Sequence, residues 1–143
     1  MRARAATLAG FVLALAGATF ASAATLDYDF YKAKVQPIFL AKRPGHAPCV
    51  MCHAEANNML RLEKLSAGQS GWTEEQTRKN FDTVAKIVQA TDDPLTAKLL
   101  THPLAPEAGG DAFHSGGRQF ADKNDPNWKT IAAWVKGATL TKK

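Results

Sequence analysis

Cys49-Val50-Met51-Cys52-His53 constrains this chain more than any other segment. Two thiols separated by two residues, followed at once by an imidazole, form the C-x-x-C-H attachment pattern for a c-type haem. The spacing lets both sulfurs reach one edge of the macrocycle as thioethers. His53 then falls beneath the ring, where a ring nitrogen can bind the iron. Cys49 and Cys52 are the only cysteines in the sequence, so no other thiol competes for either. Three blander readings of the same residues fit less well. A thioredoxin-type redox pair wants a βαβ context, and no alternating strand pattern surrounds the motif. A closed zinc site needs four ligands, and neither a second C-x-x-C nor an H-x-x-x-H is present. A disulfide closing so short a loop constrains the unfolded chain little. The expected cofactor is therefore one covalent haem c with its iron, with Cys49 and Cys52 as thioether residues and His53 as proximal ligand.

The first 23 residues read as a secretory signal. Arg2 and Arg4 supply the charged start, Leu8 to Phe20 is largely apolar, and Ala21-Ser22-Ala23 fits a small-residue cleavage site. The apolar run is short for a bilayer span, so no membrane span is expected after cleavage. An exported, periplasmic location suits the cofactor, because bacteria attach c-type haem outside the cytoplasmic membrane. Removing 23 of the 143 residues leaves 120, the size of one domain, at 24–143. Loss of the leader's two arginines lowers the formal charge from +5 to +3, and two ionised haem propionates bring it to about +1. The lysines are scattered without a long basic run or aromatic platform, so nucleic acid is not an expected partner. A weakly basic surface suits an acidic redox protein.

The periodicity of 24–143 is helical throughout, and the expected fold class is all-α. Asp27 is placed to cap a first helix that carries Tyr31, Val35, Ile38 and Phe39 on one face. Pro37 should kink that helix. Ala54 to Leu62 contains good helix formers and is expected to extend a helix beyond His53. Thr73 and Gln76 form a capping box ahead of a helix presenting Phe81, Val84, Ala85 and Val88. Asp93-Pro94 starts a short helix with Leu95, Leu99 and Leu100. From His102 to Phe120 two prolines and two Gly-Gly pairs predict a long loop. Asp125-Pro126 opens the last helix, with Trp128, Ile131, Ala132 and Val135 on one face and Gly137 at its end. The apolar faces at the two ends of the chain are positioned to pack together.

The sixth iron ligand is not a methionine on this reading. Beyond Met1, only Met51 and Met59 are present; one lies inside the attachment loop and the other six residues past His53. The late loop offers His102 and His114 instead. Glycines on both sides of His114 allow backbone to approach a macrocycle closely, which favours His114 as distal ligand. His102, directly after a leucine-rich helix, is the alternative; its bland role is to touch terminal carbonyls. His46 reads as a solvated turn residue. Arg118 and Lys123 read as surface charges, and Trp72, Trp128 and Trp134 as packing residues.

These features together resemble the mono-haem cytochrome c family. The residues that carry the resemblance are C-x-x-C-H near the start, the Phe30 to Phe39 lead-in and the leucine-rich Thr96 to Leu100. The H-x-G-G-x-x-F of His114 to Phe120 and the W-x-x-x-A-A-W of Trp128 to Trp134 complete the set. The chain is similar to short exported cytochrome c-like proteins of acidobacterial and planctomycete type. The resemblance implies a cytochrome c-like helical domain wrapped around one haem, His114 as distal ligand, and single-electron transfer rather than enzymatic turnover. Two other classes stay open: a haem sensor or peroxidase-like protein with a displaceable sixth ligand, and a haem subunit of a larger cytochrome assembly.

Overall fold

A computed structural model describes residues 25–141. The expected leader and its cleavage site lie outside the described residues. Among the described residues the regular structure is helical. No strand forms, and only two isolated bridges occur, Arg43 with His46 and Leu104 with Phe120. No helix of the described residues is long and apolar enough to cross a membrane.

The first helix starts where Asp27 accepts the Phe30 N–H at 2.5 Å. It continues as an α turn Tyr28–Phe30, a π turn Tyr31–Val35 and an α turn Gln36–Leu40. In the wide turn the Gln36 N–H reaches the Tyr31 carbonyl, five residues back. Pro37 follows directly. It lacks an N–H, and its ring crowds the carbonyl four residues earlier, so the helix opens there instead of breaking. The disruption expected at Pro37 is thus a bulge that keeps Tyr31, Val35, Ile38 and Phe39 all buried.

The last helix, Pro126–Val135, has Asp125 accepting from the Asn127 and Trp128 N–H groups. It ends at Gly137, whose φ of 92° is left-handed and favours glycine. Trp134 is fully buried. Its indole N–H donates to the Asp27 carbonyl at 2.8 Å, and its ring lies 5.4 Å from that of Tyr31. The two ends of the chain therefore pack on each other, with an indole hydrogen bond fixing their register. Burying each such large apolar side chain contributes about 1.5–3 kcal/mol.

The long helix, Glu74–Gln89, begins with the expected capping box. Thr73 accepts the Gln76 N–H at 3.3 Å and Gln76 accepts the Thr73 N–H at 3.0 Å. Its buried face holds Thr77, Asn80, Val84, Ala85, Ile87 and Val88. A 3-10 turn Pro94–Thr96 and a helix Lys98–Thr101 follow, burying Leu99 and Leu100 but leaving Leu95 exposed.

One expectation is overturned. Residues 54–62 do not extend a helix; the helix of the motif is only Cys49–His53. The chain then runs irregularly to residue 73, and around 62–64 groups outside a helical ladder satisfy its backbone. Leu62 N–H bonds to the His53 carbonyl at 3.0 Å. Asn80 accepts the Glu63 N–H at 2.7 Å, Trp72 donates to the Glu63 carbonyl at 2.7 Å, and Gln76 donates to the Lys64 carbonyl at 2.9 Å. With these partners supplied from the long helix and its lead-in, Glu63 and Lys64 need no helical hydrogen bonds.

The long loop after His102 is ordered by its own stitching. Ala105 N–H meets the Phe120 carbonyl at 2.9 Å, and Phe120 N–H meets the Pro103 carbonyl at 3.1 Å. The loop is thereby closed at its base, with His114 in the part beyond.

Candidate functional site

The first, motif, long, Lys98–Thr101 and last helices and this loop line a cavity of about 460 Å³, within the range typical of small-molecule and cofactor sites. Its walls include Ile38, Phe39, Ile87, Leu99, Phe120 and Ile131, and its polar lining includes Cys49, Cys52, His53, His102, Asp111 and His114. Every residue singled out in the sequence for cofactor or iron binding therefore borders one space. The short motif helix puts Cys49, Cys52 and His53 on it, and the two loop histidines lie 49 and 61 positions after His53 in the chain.

His53 and His114 stand in a defined relation. Their rings are nearly parallel, 21° apart, with centroids separated by 6.3 Å. A metal lies about 2 Å from each imidazole nitrogen, and each nitrogen about 1 Å from its ring centre. Two imidazoles on opposite sides of one metal thus need about 6 Å between ring centres. Each ring is also oriented by its second nitrogen. His53 Nδ1–H donates to the Leu60 carbonyl at 2.8 Å, and His114 Nδ1–H donates to the Gly117 carbonyl at 2.5 Å. A carbonyl can only accept, so each ring carries its proton on Nδ1 and keeps the Nε2 lone pair free. Metal-binding histidines are commonly set in this way. The irregular course of 54–62, which brings the Leu60 carbonyl back to His53, is what supplies the first of these contacts.

The electrostatics favour neutral imidazole at His114. Burial pushes its pKa down, the Gly117 carbonyl opposes this, and the neighbouring His102 and His53 push it down further. Burial likewise raises the Cys49 thiol above its ordinary value, despite its own backbone N–H and the Arg43 charge nearby. Cys49 is half-buried, Cys52 is exposed, and both are free thiols. Both sulfurs border the cavity, as attachment to a single group requires.

His102 sits beside His114, ring centroids 4.7 Å apart at 73°. Its Nδ1 bonds to Asp111 at 2.8 Å rather than to the carbonyls that end its own helix. Met59 also borders the cavity but is 68% exposed, and Met51 is exposed on the motif helix. His46 is half-buried, and its ring lies close to Gly117. Arg118 pairs at the surface with Glu107, and Lys123 lies 6.0 Å from the Trp128 ring. Trp72, Trp128 and Trp134 are all buried.

Several contributors carry no sequence signal. The Leu60 and Gly117 carbonyls are backbone, and no residue type announces them. Gln119 is buried, donates to the Gly116 and Ala47 carbonyls at 3.1 and 3.4 Å, and so joins the His114 loop to the segment entering the motif. Arg43 pairs with Asp125 and lies over the Phe120 ring at 5.2 Å. That contact clasps the lead-in turn to the cap of the last helix.

The residues present fit a haem. The protein must supply two thiols on one edge, two axial nitrogens and an apolar enclosure, and all of these border the cavity. Among the described residues no group of three or more His, Cys, Asp or Glu side chains is arranged to hold a bare metal ion. No protein-family model matches the chain, and no curated protein or solved structure matches it either.

Proposed function

We propose that this chain is an exported mono-haem c-type cytochrome that carries single electrons. On this reading Cys49 and Cys52 would hold one haem as thioethers, and His53 and His114 would bind its iron. The observation that carries the reading is the near-parallel His53–His114 pair, 6.3 Å apart, beside the two thiols of the C-x-x-C-H segment. The haem supplies a one-electron iron couple when bound. The chain's own residues do the rest. The Leu60 and Gly117 carbonyls hold each imidazole in the tautomer that leaves Nε2 free. Ile38, Phe39, Leu99 and Ile131 keep the cavity apolar. If His53 and His114 both bound the iron, no open position would remain for a substrate, which favours a carrier over an enzyme. The formal charge of +3 on residues 24–143 favours an acidic redox partner through long-range attraction.

The test is expression with a c-type cytochrome maturation system. The expected product is residues 24–143 plus one haem by intact mass, low-spin in both redox states. Its potential should lie below that of His/Met cytochromes, because imidazole supports the ferric state better. The near-infrared band of sulfur on ferric iron should be missing. A haem-free product, under conditions that load a control cytochrome, refutes the proposal. Ready carbon monoxide binding by the reduced protein favours a sensor or peroxidase-like function in place of a carrier.

A further inference from the structure

We infer that the cavity holds a second prepared iron ligand, with His102 able to take the sixth position when His114 leaves it; this rests on the bis-histidine haem proposed above. In the sequence His102 and His114 stand as alternatives. The folded chain puts both on one cavity, with their rings 4.7 Å apart.

His102 is set as a ligand in the same way as His114, and by a stronger acceptor. Asp111 takes the His102 Nδ1 proton contact at 2.8 Å, which leaves the Nε2 lone pair free. A carboxylate behind an imidazole raises its basicity toward a metal. Asp111 is itself fixed. Lys98 Nζ donates to its two oxygens at 3.0 and 2.8 Å, and its backbone N–H bonds to the Thr101 carbonyl at 3.0 Å. A histidine whose task is to cap its helix would turn its ring to the last carbonyls; this one is held away from them.

The two histidines are mounted differently. His102 follows the helix Lys98–Thr101, which is anchored by buried Leu99 and Leu100, and its N–H bonds to the Lys98 carbonyl. His114 sits in a loop between Gly109-Gly110 and Gly116-Gly117, beside Phe113, which is 76% exposed. Its local ties are the ring contact with the Gly117 carbonyl and the Gly117 N–H to its own carbonyl at 2.9 Å. Breaking these frees His114 without disturbing the helix that bears His102. In the exchange one iron–nitrogen bond breaks and one forms. Each imidazole keeps its proton on Nδ1, and no electron or proton is consumed.

The experiment uses the haem-loaded chain and compares wild type, His114→Ala, His114→Gln and the double variant His102→Ala/His114→Ala. Visible and electron paramagnetic resonance spectra are recorded, with circular dichroism to verify helicity. The expected result is a low-spin wild type and low-spin single variants with a shifted potential. The double variant should be high-spin and should bind carbon monoxide. His114→Gln keeps a polar side chain at the site and carries the same test if His114→Ala fails to retain haem. High-spin single variants beside a low-spin wild type overturn the second-ligand inference while leaving the bis-histidine reading intact. A high-spin wild type overturns both. A low-spin double variant shows that another residue binds the iron and also removes His102 from the role.

Discussion

Gly110→Ala is a sharp test of how the histidine-bearing loop is held. A Cβ built at Gly110 lies 1.9 Å from the Leu104 carbonyl oxygen, 2.5 Å from its carbon and 2.9 Å from the Ala105 oxygen. Real Cβ atoms essentially never come within 3.0 Å of such neighbours, so the backbone must open by about 1.1 Å in a packed region where overpacking costs about 1–3 kcal/mol. Two hydrogen bonds flank the clash: Gly110 N–H to the Ala105 carbonyl and Asp111 N–H to the Thr101 carbonyl, both 3.0 Å. Each contributes about 0.5–1.5 kcal/mol if lost. The sum is a destabilisation of about 2–6 kcal/mol, which lowers a guanidinium midpoint by roughly 0.5–1.5 M at a slope of about 4 kcal/mol per M. The assay is denaturant unfolding followed by far-UV circular dichroism. Gly68→Ala is the control: its φ is +83° but nothing lies within 4 Å, so only the left-handed backbone cost of about 1–2 kcal/mol applies. A Gly110→Ala midpoint within 0.2 M (about the error of such a fit) of wild type would refute the steric argument. It would also mean that the loop is not seated on Leu104 as described.

Other outcomes follow from individual contacts. Trp134→Phe removes the indole donor, while the Asp27 carbonyl keeps the Tyr31 N–H at 3.1 Å; thermal unfolding should report about 0.5–1.5 kcal/mol for the lost hydrogen bond. Thr73→Ala breaks the capping box of the long helix and should cost about 1 kcal/mol in the same assay. Burial pushes the Asp125 carboxyl up, but Arg43 and the Asn127 and Trp128 N–H groups outweigh it and hold it below the ordinary aspartate range. A depressed folded-state pKa contributes stability above the ordinary value near 4 that is lost as pH falls through the folded value. Acid titration of stability should therefore be shallower in Asp125→Asn than in wild type below about pH 4, and equal slopes would rule out this contribution.

The parts of this molecule legible in the sequence are those whose cause is local. Asp27, Thr73, Asp93 and Asp125 each accept an N–H within three residues of themselves, so helix starts could be read from residue type and spacing alone. The buried faces of the first, long and last helices follow from apolar periodicity for the same reason. The C-x-x-C-H spacing likewise groups two thiols and an imidazole without help from the rest of the chain. What only the tertiary structure decided depends on partners distant in sequence. Trp72, Gln76 and Asn80 fix the backbone of Glu63 and Lys64, and the Leu60 carbonyl turns back to His53. Arg43 meets Asp125 across 82 positions. Flanking glycines already favoured His114 over His102 in the sequence, but not the cavity that both border. The glycine-flanked loop, closed on Phe120, brings His114 parallel to His53, while Asp111 holds His102 to the side. Local patterns determine where a helix begins and which residue types are present. How His114 is set against His53 is decided by loop closure and by backbone carbonyls, which the flanking glycines permit but do not specify.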